Sequence, residues 1–585
     1  MSILRSPGVY FETKDRKAAP IQLGRSGIAG FIGLTKMGPL NTPVHITSYD
    51  TFVEVFGSLR VGSHLDRSVK GYFDNGGREC YIVRIAHIRD RGRKEVAKKA
   101  NLRVRDAVGE PTLVMKAKNE GEWGNTITVD VDIPAKAKVT TLLTLDLHAG
   151  QNVATIKSTH GFKIGSCIKI FDGEKDEYKT IIDIQGKEIF WSAEDPIRQD
   201  FKSYAPTYIE PVEFEIKVLT LYHREHFTEL SMSPLSESYF VRVVNKQSQL
   251  IEVEDLKSPS PLPDSIPQDI EATKLSGGSD GVRTVTPEDF IGLNVGPGER
   301  YGLAAFEAIT DVDILACPDL MWCLDNSVGF RTLKDVEIVQ HAMVTQCEKY
   351  KERFAILDVP PGKGHISALQ WRLLFDTAYA AFYFPWVVIE EDGDRLAVPP
   401  SGFIAGVYSR CDRRFGVHKP PANESIEGVV DVETVLQDHD IAYINSEGVN
   451  ALKSFPSRGI RVWGARTVSS DPQQQFINVR RILNTIIRAM STSLEWVVFE
   501  PNDPRLWKTI IRLTNGFLME LWRKGMFKGR NVGEAFYIKC DDETNTAAER
   551  KEGRVIIEAG VAPVRPAEFI VFRVSQEIEE EEEPI

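Results

Sequence analysis

No run in this sequence is long enough to cross a bilayer. The longest apolar stretch, residues 378–389, is about a dozen residues and contains Pro385, whereas a spanning helix needs about 20. No export signal is expected from the opening residues, because Arg5, Pro7 and Gly8 interrupt them and no apolar region follows. These absences predict a soluble chain synthesised in the cytoplasm, without direct membrane insertion. Cysteine is scarce: the seven, at 80, 167, 317, 323, 347, 411 and 540, are odd in number and show no C-x-x-C spacing. That argues against a disulfide framework and against a zinc cage, and fits reduced thiols. Positive charge is in deficit, with 71 Lys and Arg against 83 Asp and Glu and a net charge of −12. A surface built to neutralise nucleic-acid phosphates is not expected from that balance.

What is present suits an ordered protein of several units. At 585 residues the chain exceeds a single core and predicts roughly three or four domains. Hydrophobic residues at 42% and aromatics at 9% are enough to fill those cores.

The pattern along the chain divides it. Residues 1–20 read as an arm, with β-favouring Val9, Tyr10 and Phe11 followed by a polar stretch from Lys14 to Lys17. Residues 21–88 begin an α/β unit: 28–34 and 81–85 are short buried-strand patterns, and 49–56 is helical. Residues 89–275 alternate polar and apolar positions between Gly, Pro and Asp turns, as at 126–131 and 213–218, which predicts a β-rich inserted domain ending at the proline linker 258–263. Residues 281–460 return to α/β character, with strands at 313–317 and 353–358, and are expected to complete the first unit.

A C-terminal domain follows at 461–575, then an acidic tail at 576–585. Val479, Ile482, Leu483, Ile486, Ile487, Met490 and Leu494 recur at helical spacing, and the other face of that helix carries Arg480, Arg481, Asn484 and Arg488. A second helix is expected from about Arg505 to Lys524, with Trp507, Ile510, Ile511, Phe517, Leu518, Leu521 and Trp522 on its buried side. Between 505 and 530 lie Arg505, Lys508, Arg512, Arg523, Lys524, Lys528 and Arg530 against the single carboxylate Glu520, a local reversal of the chain's charge. The acidic run from Glu577 to Glu583 reads as a solvated tail.

Catalytic and cofactor patterns are incomplete. Residues 277–281 satisfy G-x-S-x-G but follow a proline linker rather than a strand, so a flexible turn is expected. Gly362-Lys363-Gly364-His365 lacks both the earlier glycine and the following Ser or Thr of a phosphate loop. Gly296, Gly298 and Gly302 miss the dinucleotide fingerprint by one residue, and Asp172 to Glu177 lacks the glycine of a calcium loop. His223 and His226, three apart, could share a metal on a helix but have no third ligand, and a charged surface stretch is the better reading. No catalytic residue, cofactor or metal is predicted.

Several segments carry a resemblance. Gly464-Ala465-Arg466-Thr467, Asn478-Val479-Arg480-Arg481-Ile482, Phe499-Glu500-Pro501-Asn502-Asp503 and Pro566-Ala567-Glu568-Phe569-Ile570-Val571-Phe572-Arg573-Val574 resemble the C-terminal domain of contractile tail sheath proteins. Residues 33–39, 73–81, 121–125, 277–281 and 445–450 are similar to further signatures of the family, whereas 136–200 matches nothing in it.

The resemblance implies a structural protein rather than an enzyme: a subunit that forms a helical homo-oligomer around an inner tube and meets baseplate, terminal cap and possible sister sheath proteins. It also implies strand donation between copies by Val9, Tyr10 and Phe11 at one end and Phe569, Ile570, Val571, Phe572 and Val574 at the other. Residues 13–20 would then be a tether about 25 Å long at roughly 3.3 Å per residue. Lys508, Arg512, Arg523, Lys524 and Lys528 would face an acidic inner tube. The competing readings are a soluble α/β enzyme with a phosphate-binding loop and another tail or capsid protein.

Overall fold

The computed structural model describes residues 20–58, 63–88, 96–134, 137–221, 223–261, 263–362 and 364–568. The strand-donation residues Val9, Tyr10, Phe11, Phe569, Ile570, Val571, Phe572 and Val574, and the acidic tail, lie outside them.

The chain is a mixed α/β protein built of several cores. Its largest sheet has eight strands: β1 (Ala29–Gly33), β2 (Val44–Ile46), β3 (Cys80–Arg84), β4 (Ile314–Ala316), β5 (Phe354–Asp358), β6 (Ala380–Phe384), β7 (Val449–Phe455) and β8 (Gly459–Trp463), in the order β2-β3-β1-β4-β5-β6-β7-β8. From β3 to β7 neighbouring strands are parallel, and both edge strands are antiparallel to their neighbours. Every residue of β1, β5 and β6 is buried, as expected for parallel strands covered on both faces. Side chains alternate between two cores. Ile32, Leu315, Leu357 and Phe382 pack with helix α3 (Leu333–Tyr350), numbered after α1 (Tyr49–Phe56) and α2 (Leu65–Asp74). Phe31, Ile314, Ile356 and Tyr383 pack on the other side with α1, α2 and α4 (Ser401–Phe415).

Residues 101–274 supply antiparallel sheets. Thr128–Asp132, Phe214–Leu219, Arg224–Leu230 and Ile270–Lys274 form one of them, and Phe214, Ile216 and Val218 point inward at period two. Residues 141–211 form two smaller sheets around a core of their own, with Trp191, Phe201, Ile168, Ile170 and Ile209. The turn at 277–281 is fastened rather than loose. Gly278 N–H donates to Asn125 Oδ1 at 2.8 Å, Asn125 Nδ2 returns to the Gly278 carbonyl at 2.9 Å, and Glu122 N–H donates to Asp280 Oδ1 at 2.8 Å. Two of the segments that carry the resemblance therefore lock each other.

The C-terminal region holds α5 (Ile477–Ser493), α6 (Pro504–Arg523) and a two-stranded sheet of β9 (Phe536–Lys539) and β10 (Glu558–Val561). Asp503 caps α6, its Oδ1 accepting from Arg505 N–H at 2.8 Å and Leu506 N–H at 2.9 Å, with Pro504 in the first turn. Asn502 Oδ1 accepts from Trp507 Nε1 at 2.8 Å. The segment 499–503 is thus a helix start.

Candidate functional site

No cluster of His, Cys, Asp or Glu among the described residues could hold a metal, and no helix there is long and apolar enough to cross a membrane. His226 lies on a strand rather than a helix and pairs with Glu215 at 2.8 Å. At the glycine-rich segment 362–365, Gly362 N–H donates to Glu433 Oε1 at 2.9 Å, so a carboxylate of the chain itself takes that amide.

A doubly wound sheet takes ligands where its strand order reverses, beyond the carboxyl ends of the strands. Here that point lies between β1 and β4, and Asp319 fills it. Its Oδ2 accepts from Leu34 N–H at 2.6 Å, and its Oδ1 accepts from His64 N–H at 2.6 Å, Leu65 N–H at 2.9 Å and Ser63 Oγ at 2.9 Å. The amides at the start of α2, which would suit a bound anion, are therefore satisfied from within. Burial pushes the Asp319 carboxyl up to about 6 against the pull of those hydrogen bonds, and burial followed by the Arg67 charge lowers His64 to about 4.

The surface feature that remains is α6. Leu506, Trp507, Ile510, Thr514, Phe517, Leu518 and Leu521 are its buried residues, whereas Arg505, Lys508, Arg512 and Arg523 are exposed. At 100° per residue those four cations form one stripe opposite the buried face. Lys524, Lys528 and Arg530 are exposed beyond the helix end. Among the described residues only Lys524 of these seven has an ion-pair partner, Glu520 at 2.7 Å.

The face of α5 bearing Arg481, Asn484 and Arg488 is buried against the α/β unit, and this differs from a solvated polar face. Arg481 donates to both oxygens of Asp412, at 2.8 and 2.6 Å, and to Asp313 at 3.1 Å. Asp313 in turn accepts from Gly27 and Ile28 N–H at the entry to β1. Burial opposes the charge on Arg481, but Asp412 and then Asp313 outweigh it and hold the guanidinium above its ordinary value. Asn484 Nδ2 donates to the Arg353 carbonyl at 2.9 Å, and Arg488 Nη2 to the Arg25 carbonyl at 2.6 Å. These contacts fasten α5 to the large sheet, and α6 packs against α5 through Ile482, Ile486, Phe517 and Leu521. Asp412 and Asp313 escaped sequence reasoning because nothing in the local pattern pairs them with position 481.

A family model described as the phage tail sheath C-terminal domain matches residues 469–577, and one described as the phage tail sheath protein central domain matches 306–468. The tail sheath protein of Burkholderia phage BcepMu is 26% identical over 332 residues, 53% of this chain and 65% of that protein. The tail sheath protein of Escherichia phage P2 is 28% identical over 174 residues, 29% of this chain and 42% of that protein. The match spans less than two thirds of the length of each relative. The fold is shared with the helical sheath of the anti-feeding prophage in its contracted state, at 19% identity and a TM-score of 0.53, covering 98% of this chain and 100% of that one.

Proposed function

This chain belongs to the contractile tail sheath family, and from that footing we propose that it is a structural subunit of a sheath. Copies polymerise as a helical cylinder around an inner tube, above a baseplate, in a phage tail or phage-tail-like particle. Shortening of the cylinder drives the tube through a target envelope.

The observation that carries this reading is the β9–β10 sheet. Among the described residues it has two strands and no further neighbour on either edge. The pair packs on α6 through Phe536, but its edges are open, and open edges recruit strands. The apolar segments around Tyr10 and Phe572 at the two chain ends supply such strands when lent by adjacent copies. Each donated strand adds main-chain hydrogen bonds at a net of about 1 kcal/mol apiece, plus apolar burial. Head-to-tail lending of this kind is heterologous and builds an open helix.

The cationic stripe of α6 supports a face toward an acidic inner tube. Single exposed pairs are worth at most about 1 kcal/mol, but repetition along the tube makes the sum large. The Asp319-filled crevice supports a mechanical rather than a ligand-binding role for the α/β unit. Contraction then draws on surface buried between subunits, with energy stored at assembly.

Electron microscopy of the purified full-length chain tests the reading: hollow cylinders are expected. Removing residues 1–12 or 569–585 should leave a folded subunit with the same thermal transition and no cylinders. Intact contractile cylinders from either truncated chain would overturn it, as would ATP hydrolysis by purified contracting cylinders.

A further inference from the structure

Three segments remote in sequence, 445–450, 464–467 and 566–568, meet at one point. Arg466 holds Glu568 through two parallel bonds, Nε to Oε1 at 3.1 Å and Nη2 to Oε2 at 2.6 Å. Their side chains are 18% and 20% exposed, although Glu568 as a whole residue lies at the surface. Such a fork fixes orientation as well as distance.

The backbone of Arg466 is anchored in turn. Its N–H donates to Asn450 Oδ1 at 2.7 Å, and its carbonyl accepts from Asn450 Nδ2 at 2.8 Å. Asn450 Nδ2 also donates to the Phe382 carbonyl of β6 at 3.0 Å. Gly464 leaves room for this arrangement, since a Cβ there would lie 2.7 Å from Asn450 Oδ1. Arg466 Nη1 further reaches the Ser446 carbonyl at 3.3 Å. Four residues before Glu568, the Val564 carbonyl accepts from Asn478 Nδ2 at 3.0 Å. The segment 564–568 is therefore held at both ends, by Asn478 and by Arg466.

We propose that the Arg466–Glu568 pair roots the C-terminal arm, fixing the place and direction from which residues 569–574 leave for a neighbouring copy. Arg466 and Asn450 are positioning residues for strand donation, and this inference rests on the sheath reading above. The reason is the length of free chain. With the root intact, the chain is held as far as Glu568. With it broken, the arm begins near Val564 and can swing, so its effective concentration at the acceptor sheet falls.

The test uses the full chain with Arg466→Ala, Arg466→Lys, Glu568→Ala and the exchange Arg466→Glu with Glu568→Arg. In the unassembled protein, hydrogen exchange in 561–568 should rise roughly fivefold for each alanine variant, with α5 and α6 unchanged. The protein concentration at which cylinders form should rise roughly three- to tenfold. Arg466→Lys, a point charge without the fork, should fall between, and the exchange should recover part of the loss. Unchanged exchange and unchanged assembly in both alanine variants would overturn the root. So would an exchanged pair no better than the single variants. A wild-type chain that never forms cylinders would instead overturn the sheath reading, while exchange in 561–568 still decides on the pair.

Discussion

Helices α5 and α6 lie side by side, both have an apolar stripe, and both carry arginines on the remaining face. The fold treats those faces oppositely. Arg481 of α5 is 3% exposed and sits between Asp412 and Asp313, whereas Lys508, Arg512 and Arg523 of α6 are exposed and, among the described residues, form no ion pair. A buried guanidinium survives where another element delivers counter-charges or hydrogen-bond acceptors. The α/β unit delivers them to α5 from the end of α4 and the approach to β4. Nothing described delivers them to α6. One helix is an internal fastening, and the other presents its charge outward.

The sharpest way to break this contrast is Arg481→Ala. It leaves Asp412 and Asp313 buried without their cation and should lower stability by about 3–5 kcal/mol, read from denaturant unfolding of the full chain. A change below about 1 kcal/mol would mean that α5 is not fastened through this pair.

A buried carboxylate without an arginine sharpens the same point. Burial pushes Asp358 up to about 7, opposed by its bonds from Ser401 Oγ at 2.6 Å and Ser401 N–H at 3.1 Å. Its folded pKa exceeds the unfolded value near 3.8, so the folded state binds more protons between those values. The associated stability is present in full below the unfolded pKa and is lost as pH rises through about 7. Asp358→Asn should remove that slope, worth up to about 4 kcal/mol across the window, in unfolding curves taken from pH 4 to 8. An unchanged pH profile would refute the assignment.

Smaller effects are expected on α6, whose start depends on its own cap. Asp503→Ala should lower stability by about 1 kcal/mol, again by denaturant unfolding. Least of all, replacing Lys508, Arg512 and Arg523 together by Gln should move stability by less than about 0.5 kcal/mol per site. If the stripe meets an inner tube as proposed, the same triple variant should bind that tube more weakly, with a reduced dependence on salt. Unaltered tube binding in co-sedimentation would take the stripe out of the interface.

Local chemistry made much of this legible. The helix at 49–56, the buried strands near 29–33 and 354–358, the alternating strand at 214–219 and the two C-terminal helices all follow from period and capping residues that act within a few positions. The cationic stripe of α6 was readable because most of its buried face is made of large apolar residues, although Ile511 and Trp522, expected there, are only half-buried. The arginine face of α5 was not, since the same pattern describes a solvated face and a face bonded to another unit. Arg466 and Glu568 both stood in the quoted segments, yet nothing at either position names the other, 102 residues away.

Composition and spacing by themselves pointed to the mixed α/β class, argued for reduced cysteines, left the phosphate and metal motifs incomplete and set the G-x-S-x-G segment behind a proline linker instead of a strand. Only the tertiary structure decided which charges are internal. Asp319 closes the crevice of the sheet, Arg481 joins α5 to the α/β unit, and Arg466 pairs with Glu568. Each depends on groups brought within about 3 Å across long stretches of chain, and Coulomb and hydrogen-bond energies are set by that separation and its burial rather than by order along the chain.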